Sequence, residues 1–319
     1  MAPEMRPQPS SMTFGEQSTE KESHDMLSYS LDQGINMLDT AEIYPIQPKE
    51  ETQGRTDLYV GRWMKSKPRD KVILATKVSG YSDRTFLRDN AEMVRVDAPN
   101  IKESVEKSLS RLSTDYIDLL HIHCVPFEDQ LKALQELIDE GKVQYIGVSN
   151  ETSYGVMRFV QAAKLHGLPK IVSIQNGYSL LLILLKSATQ TTNIGLLAYS
   201  PLGSGVLTGK YLDDSCGNSK SFRLNLFPGY MQRYNALLAK EATKEYLKVA
   251  KKHVLTPVQL ALGFVRDRPF TASTIIGVTT MDQLKENINA FTSAPRPLPP
   301  QVLDDIETVF KRYRDPAVL

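Results

Sequence analysis

The sequence predicts an α/β chain closed into a (β/α)8 TIM-type barrel. Two patterns predict it. Seven short apolar runs rich in β-branched residues recur along the 319 residues, and amphipathic helical periods separate them. Runs without strict polar alternation are what strands of a parallel sheet, buried on both faces, look like. Strand and helix in strict alternation imply parallel neighbours joined by right-handed crossovers. Seven strands in a chain of this length favour a closed barrel over an open sheet.

The runs are 35–39, 72–76, 116–123, 143–148, 171–175, 195–199 and 273–276. Ile101, Val105, Leu109 and Leu112 repeat at one helical face, and so do Leu131, Leu134, Leu137 and Ile138, with Gly141 placed as a C-terminal cap. Residues 151–165 form a third helix, stopped by Gly167 and Pro169. Thr256-Pro257 opens a fourth at its first turn, and 281–291 and 299–313 are helical by the same pattern. The polar stretch 213–221 reads as an exposed loop. Residues 1–11 read as an irregular segment ahead of a barrel domain over 12–319. Pro3, Pro7 and Pro9 remove ladder donors there, so the first strand is expected to be missing or degenerate, leaving the second and eighth strands with open edges.

Composition excludes several classes. Lysine plus arginine (38) nearly balances aspartate plus glutamate (37), which argues against a nucleic-acid or membrane-surface binder. Two cysteines, Cys124 and Cys216, give neither a disulfide framework nor a structural zinc site, and no metal site is expected. The longest aliphatic run, 180–185, is far short of a membrane span of about 20 residues. A cytoplasmic protein acting on a small molecule, of undetermined oligomeric state, is the expectation.

Chemistry concentrates at strand ends. Asp39 and Tyr44 lie in Leu-Asp-Thr-Ala-Glu-Ile-Tyr, Lys77 in Ile-Leu-Ala-Thr-Lys, and His123 in Leu-Leu-His-Ile-His. Carboxyl ends of barrel strands face one mouth, so a carboxylate, a phenol, an ammonium and an imidazole are expected to meet there. Such a group can transfer a proton, the phenol acting as acid with its pKa drawn from about 10 toward neutrality by the ammonium. Singly, each residue has an ordinary reading: a helix cap, a solvated lysine, a core histidine. Their joint placement at consecutive strand ends argues for the site.

At these residues the chain resembles the aldo-keto reductase family, from about Met12 to Leu319, and is most similar to its Tas-like branch of bacteria and plants. The resemblance rests on Met-Thr-Phe-Gly-Glu-Gln at 12–17, Glu-Thr-Gln-Gly at 51–54, Asp-Tyr-Ile-Asp-Leu-Leu at 115–120, Ile-Gly-Val-Ser-Asn-Glu at 146–151 and Ala-Tyr-Ser-Pro-Leu-Gly at 198–203. It implies an NADP(H)-dependent oxidoreductase with Asp39, Tyr44, Lys77 and His123 as catalytic tetrad. Tyr44 would be the acid, Lys77 paired with Asp39 would lower its pKa, and His123 would orient the carbonyl substrate. His121 shares the strand face of His123; the alignment favours His123.

For the cofactor, the resemblance assigns Ser149, Asn150 and Gln175 to the nicotinamide amide and Tyr199 to stacking on the nicotinamide ring. Ser200, Leu202 and Gly203 would cover the pyrophosphate, while Gly277, Thr279, Gln283, Glu286 and Asn287 would meet the adenosine half. A strand ending at Gly277 before a helix leaves N–H groups free for phosphate. Many relatives have a cation where Thr279 and Thr280 stand; the nearest here is Lys285. The long loop that follows the histidine in relatives is shortened to Cys124-Val125-Pro126, which predicts a wider pocket. The run Leu180–Leu185 replaces an amphipathic helix, so it is expected either to bury wholly or to expose an apolar patch.

The leading expectation is NADPH-dependent reduction of aldehydes or ketones. The alternative is a nucleotide-binding but catalytically weak or inactive relative, either regulatory or a degraded enzyme. An aldolase using Lys77 as a Schiff base is disfavoured, because such a lysine needs a depressed pKa, which a neighbouring carboxylate like Asp39 opposes.

Overall fold

The computed structural model describes residues 7–89, 93–123, 127–183, 192–212 and 222–318. Eight parallel strands close in sequence order into a barrel. They are β1 (Pro7–Ser10), β2 (Met37–Asp39), β3 (Ile73–Lys77), β4 (Ile117–His123), β5 (Val143–Ser149), β6 (Ile171–Gly177), β7 (Gly195–Tyr199) and β8 (Thr271–Gly277). The seven expected strands all form.

The first strand is also present, which corrects the expectation that it is missing and that residues up to 11 are irregular. Pro7, Gln8, Pro9 and Ser10 pair with Thr274 through Gly277 of β8, and Ser10 pairs with Asp39 of β2. The prolines do not prevent this. Successive residues of a parallel strand turn their N–H groups to opposite neighbours, so prolines two apart remove donors on one side only. Gln8 and Ser10 keep donors for the other side, the barrel closes, and neither β2 nor β8 is left with an open edge.

Helices α1 (Glu20–Asp32), α2 (Arg55–Met64), α3 (Ala98–Leu112), α4 (Phe127–Asp139) and α5 (Ser153–His166) cover the first half of the barrel. A short turn of helix, α6 (Arg223–Leu226), lies at the mouth, and α7 (Leu237–Lys252), α8 (Pro257–Arg266), α9 (Met281–Ser293) and α10 (Pro300–Arg312) complete the layer. Caps fix their starts: Thr19 and Glu22 form a capping box on α1, Thr256 and Gln259 one on α8, and Asp97 accepts from Asn100 N at the start of α3. Gly141, at φ 73°, ends α4 as its sequence position predicts. The apolar stripe of α3 (Ile101, Val105, Leu109 and Leu112) is buried against the outer face of the strands.

Inside the barrel, Ala75, Leu119, Leu197 and Ile275 pack together with Met37 beside them. Because strand side chains alternate, the residues two further along share this inner face one step nearer the mouth. These are Asp39, Lys77, His121, Tyr199 and Gly277. The apolar layer that holds the barrel thus dictates where the polar layer stands.

The aliphatic run is buried rather than exposed over its described part. Leu180, Leu181 and Leu182 are covered, Leu181 O accepts from Ala317 N at 3.2 Å, and Ile183 N donates to Asp315 at 2.6 Å. Leu184 and Leu185 lie outside the described residues, as do Cys124–Pro126 and the loop expected at 213–221.

Arg266, buried at the end of α8, fastens the carboxyl-terminal segment. Its Nη1 donates to Phe291 O and Ala294 O, its Nη2 to Pro295 O, and its Nε to Asp267, whose other oxygen accepts from Leu298 N. Arg266→Met orphans these acceptors and leaves Asp267 without its cation, so it is expected to cost about 3 kcal/mol, read as a lowered Tm.

Candidate active site

A cavity of about 1020 Å³ opens at the carboxyl ends of the strands. Its floor is an ion pair. Lys77 Nζ lies 2.8 Å from both oxygens of Asp39 and 2.8 Å from Thr40 O, and its fourth neighbour is the Tyr44 hydroxyl at 3.4 Å. Asp39 also accepts from Gln175 Nε2 at 2.8 Å. Asp39 and Lys77 come from adjacent strands. Tyr44 comes from the loop after β2, turned back over Lys77 by Tyr44 N donating to Ala41 O and Gly54 N donating to Tyr44 O.

This arrangement corrects the expected electrostatics of the phenol. Its pKa is raised well above 10, first by burial, then by the Asp39 carboxylate and Tyr199, with Arg223 opposing. The Lys77 ammonium does not dominate because Asp39 and Thr40 O take its charge at closer range. Tyr44 therefore keeps its proton at neutral pH and can donate it.

Of the expected tetrad, Asp39, Tyr44 and Lys77 come together. The His123 side chain lies outside the described residues; its backbone ends β4, opposite Ser149. His121 is paired in register with Lys77 and fully buried, with Nε2 3.1 Å from Ser173 Oγ, the setting of a core histidine.

Most of the expected cofactor residues line the same cavity: Ser149, Asn150, Gln175, Tyr199, Ser200 and Leu202 along one wall, and Gly277, Thr279, Gln283, Glu286 and Asn287 along another. Tyr199 OH donates to Asn150 Oδ1 at 2.7 Å and accepts from Arg233 Nη2 at 3.2 Å, which fixes the ring at the mouth. Ser149 Oγ donates to Gln175 O at 3.1 Å. Gln283 Oε1 accepts from the N–H and hydroxyl of Thr279 beside the start of α9. Gly203 is the exception. It stands behind the wall at φ 55°, where a Cβ would press on Leu181 at 3.2 Å, so its role is to turn the chain. Lys285 is turned away to the Tyr29 ring of α1, 5.7 Å from its centroid.

Two cavity residues escape the sequence reading. Arg223 and Lys210 line the mouth, and among the described residues neither meets a carboxylate. Arg223 Nε is buried without a hydrogen-bond partner, and burial pulls the guanidinium pKa down from its ordinary value. Burial, and then Arg223 itself, lower Lys210. Two desolvated cations in a cavity suit an anionic ligand. Gly277 keeps the route open, since a Cβ there would meet nothing closer than Arg223 Nη1 at 3.9 Å. The signal was a lysine directly after Gly209 and an arginine between Phe222 and Leu224, both charges in apolar or glycine-rich settings.

A closed parallel barrel with a lysine–aspartate pair, a protonated phenol and an anion-receptive wall at the carboxyl ends of its strands belongs to the α/β-barrel enzymes. Comparison with known proteins narrows the class. The model of the aldo/keto reductase family matches residues 11–310. The chain is 44% identical to "Protein tas" of Escherichia coli over 96% of this chain and 94% of that protein. It is 37% identical to an "Aldo-keto reductase" of Babesia bovis over 77% of this chain and 98% of that one. It is 30% identical to a "Probable voltage-gated potassium channel subunit beta" of Arabidopsis thaliana over 94% and 90%. The chain belongs to the aldo/keto reductase family, whose members are oxidoreductases acting on small carbonyl substrates with nicotinamide cofactors. Among the described residues, no helix is long and apolar enough to cross a membrane, and no cluster of three or more histidine, cysteine or acidic residues could hold a metal ion.

Proposed function

We propose that this chain reduces aldehydes or ketones to alcohols with NADPH, Tyr44 donating the proton. The carrying observation is the phenol hydroxyl 3.4 Å from the ammonium of a buried Lys77–Asp39 pair, on the floor of the cavity. The residues present fit the cofactor: Arg223 has an orphaned buried nitrogen, Lys210 is a second desolvated cation, and bare backbone at Gly277 lies beside them. These three would take the phosphates, and Thr279, Gln283, Glu286 and Asn287 the adenosine half. Thr279 and Thr280 are the hydroxyls for a 2′-phosphate, in line with the family's use of NADP(H). Ser149, Asn150 and Gln175 would hold the nicotinamide amide, and Tyr199 would stack on its ring.

Bound cofactor supplies the hydride. The chain's own work is to move a proton at one atom. A carbonyl oxygen gaining negative charge takes the Tyr44 proton, and Lys77 then stands within hydrogen-bond reach of the phenolate left behind. Asp39 keeps Lys77 in place. His123 is the expected second contact to the carbonyl.

The alternative, a nucleotide-binding but weakly active or inactive relative, rests on a missing first strand, which is present, and on the shortened loop after His123, which lies outside the described residues. NADPH fluorescence titration, followed by NADPH oxidation with a panel of aldehydes and ketones, tests the proposal. Saturable binding and carbonyl-dependent oxidation are expected; a folded chain that neither quenches nor oxidises NADPH would sink it. Arg223→Met is expected to weaken NADPH binding about tenfold or more, the worth of a charge-assisted contact. It should leave Tm unchanged or higher, because it removes a buried Nε donor without a partner and a cation that meets no carboxylate among the described residues. Unchanged affinity would remove Arg223 from the phosphate site.

A further inference from the structure

The loop bearing Tyr44 leaves the sheet in a way that would orphan a donor just past the end of β3. Past Asp39 the chain still runs beside β3, with Thr40 N donating to Ala75 O at 2.9 Å and Glu42 N donating to Lys77 O at 3.3 Å. In a parallel ladder the next rung takes the Ser79 N–H to the Glu42 carbonyl. Here that carbonyl has turned away and accepts from Gln53 Nε2 at 2.9 Å. The Glu42 side chain supplies the rung instead: Ser79 N donates to Glu42 Oε1 at 2.6 Å.

The carboxylate that does this is itself clamped. Arg88 Nη1 donates to Glu42 Oε2 at 2.8 Å and Nη2 to Oε1 at 3.1 Å, and each side chain of the pair is 1% exposed. Arg88 Nε donates to Asn100 Oδ1 at 3.0 Å, and Asn100 Nδ2 donates to Asp97, the cap of α3, at 2.6 Å. A continuous line of bonds thus runs from the start of α3 to Ser79. Ser79 and Tyr44 both line the cavity.

We propose that Glu42 is a positioning residue: its carboxylate, gripped by Arg88, extends the β2–β3 ladder by one rung, locking the Tyr44 loop to the strand of Lys77 and so setting the phenol–ammonium separation. The inference rests on the reading of Tyr44 as the acid. A buried ion pair adds little net stability over an apolar pair of similar size, so specifying geometry is the better account of this one.

The test uses the full chain, with kcat, KM and NADPH affinity measured separately and folding checked by thermal melting. Glu42→Leu with Arg88→Met removes the pair without leaving a buried charge. Its kcat is expected to fall about 100-fold, the cost of misplacing a reacting group by about 1 Å, with KM and NADPH affinity nearly unchanged. Glu42→Gln with Arg88→Met restores an acceptor for the Ser79 N–H and should recover about tenfold of that loss. Arg88→Lys keeps the charge but loses the two-pronged grip, and kcat should fall about tenfold in a chain that still folds. A folded Leu/Met variant with wild-type kcat overturns the proposal, as does a Gln/Met variant no better than Leu/Met or an Arg88→Lys variant of undiminished kcat. The underlying reading fails elsewhere, on the unaltered chain through absent turnover or through turnover that survives Tyr44→Phe; the Glu42 inference fails only on its own variants in an active enzyme.

Discussion

Tyr44→Phe is expected to lower carbonyl reduction by about 10²- to 10⁴-fold, the usual worth of a positioned general acid, and to preserve NADPH binding. The substitution removes one oxygen and leaves the ring, whose centroid lies 5.0 Å from Lys77 Nζ, so packing and the Lys77–Asp39 pair stay as they are. Loss of kcat with cofactor affinity retained is the signature of a contact that matters only as the reaction proceeds. The direction of the Tyr44 pKa shift adds a second readout. Burial and Asp39 hold the phenol protonated to well above 10, so reduction, which needs the proton, should be flat across neutral pH and fall only as the phenol ionises at high pH. Alcohol oxidation, which needs the phenolate, should rise with pH over the same range. Steady-state rates in both directions from neutral to alkaline pH decide it. A reduction rate that already falls through neutrality would mean that the ammonium, not burial, governs the phenol. Reduction that persists in the phenylalanine variant would assign the acid elsewhere.

That contrast marks where sequence reasoning reaches and where it stops. Asp39, Lys77 and Tyr199 could be placed at one mouth because strand alternation is written in the residues themselves. Met37, Ala75 and Leu197 each stand two positions earlier and form the apolar layer beneath. The pKa of Tyr44 could not be read in the same way. It depends first on how deeply the phenol is buried and then on the Asp39 carboxylate near it, and both arise only in the folded chain. The first strand was hidden by Pro7 and Pro9, since counting prolines as breakers ignores that donors two apart serve one neighbour. Lys210 and Arg223 were hidden for another reason. Lys210 lies in a turn and Arg223 opens the four-residue helix α6, segments too short for a periodicity that relates sequence position to direction, and only the cavity brings them together. Gly203 shows the converse: a motif residue can shape a binding loop without touching the cavity.

Lys77→Met separates the two duties of the ion pair, one structural and one chemical. In the native fold the ammonium neutralises a carboxylate that is 1% exposed, and without it Asp39 keeps Gln175 Nε2 at 2.8 Å as its described side-chain partner. Breaking a buried pair on one side costs about 3–5 kcal/mol, so the single variant should melt well below the wild type. Its turnover should fall about 10²-fold or more, because the ammonium beside the phenolate formed as Tyr44 gives up its proton is then gone. Loss of activity in this variant alone would be ambiguous, as a weakened fold could produce it. Asp39→Asn combined with Lys77→Met resolves the ambiguity. The amide carries no charge to strand and can still accept from Gln175, so Tm should return most of the way while turnover stays low. Thermal melts and single-turnover reduction on the wild type and both variants make the comparison. A double variant that regains stability and turnover together would leave Lys77 a purely structural role, with the phenol donating its proton unaided.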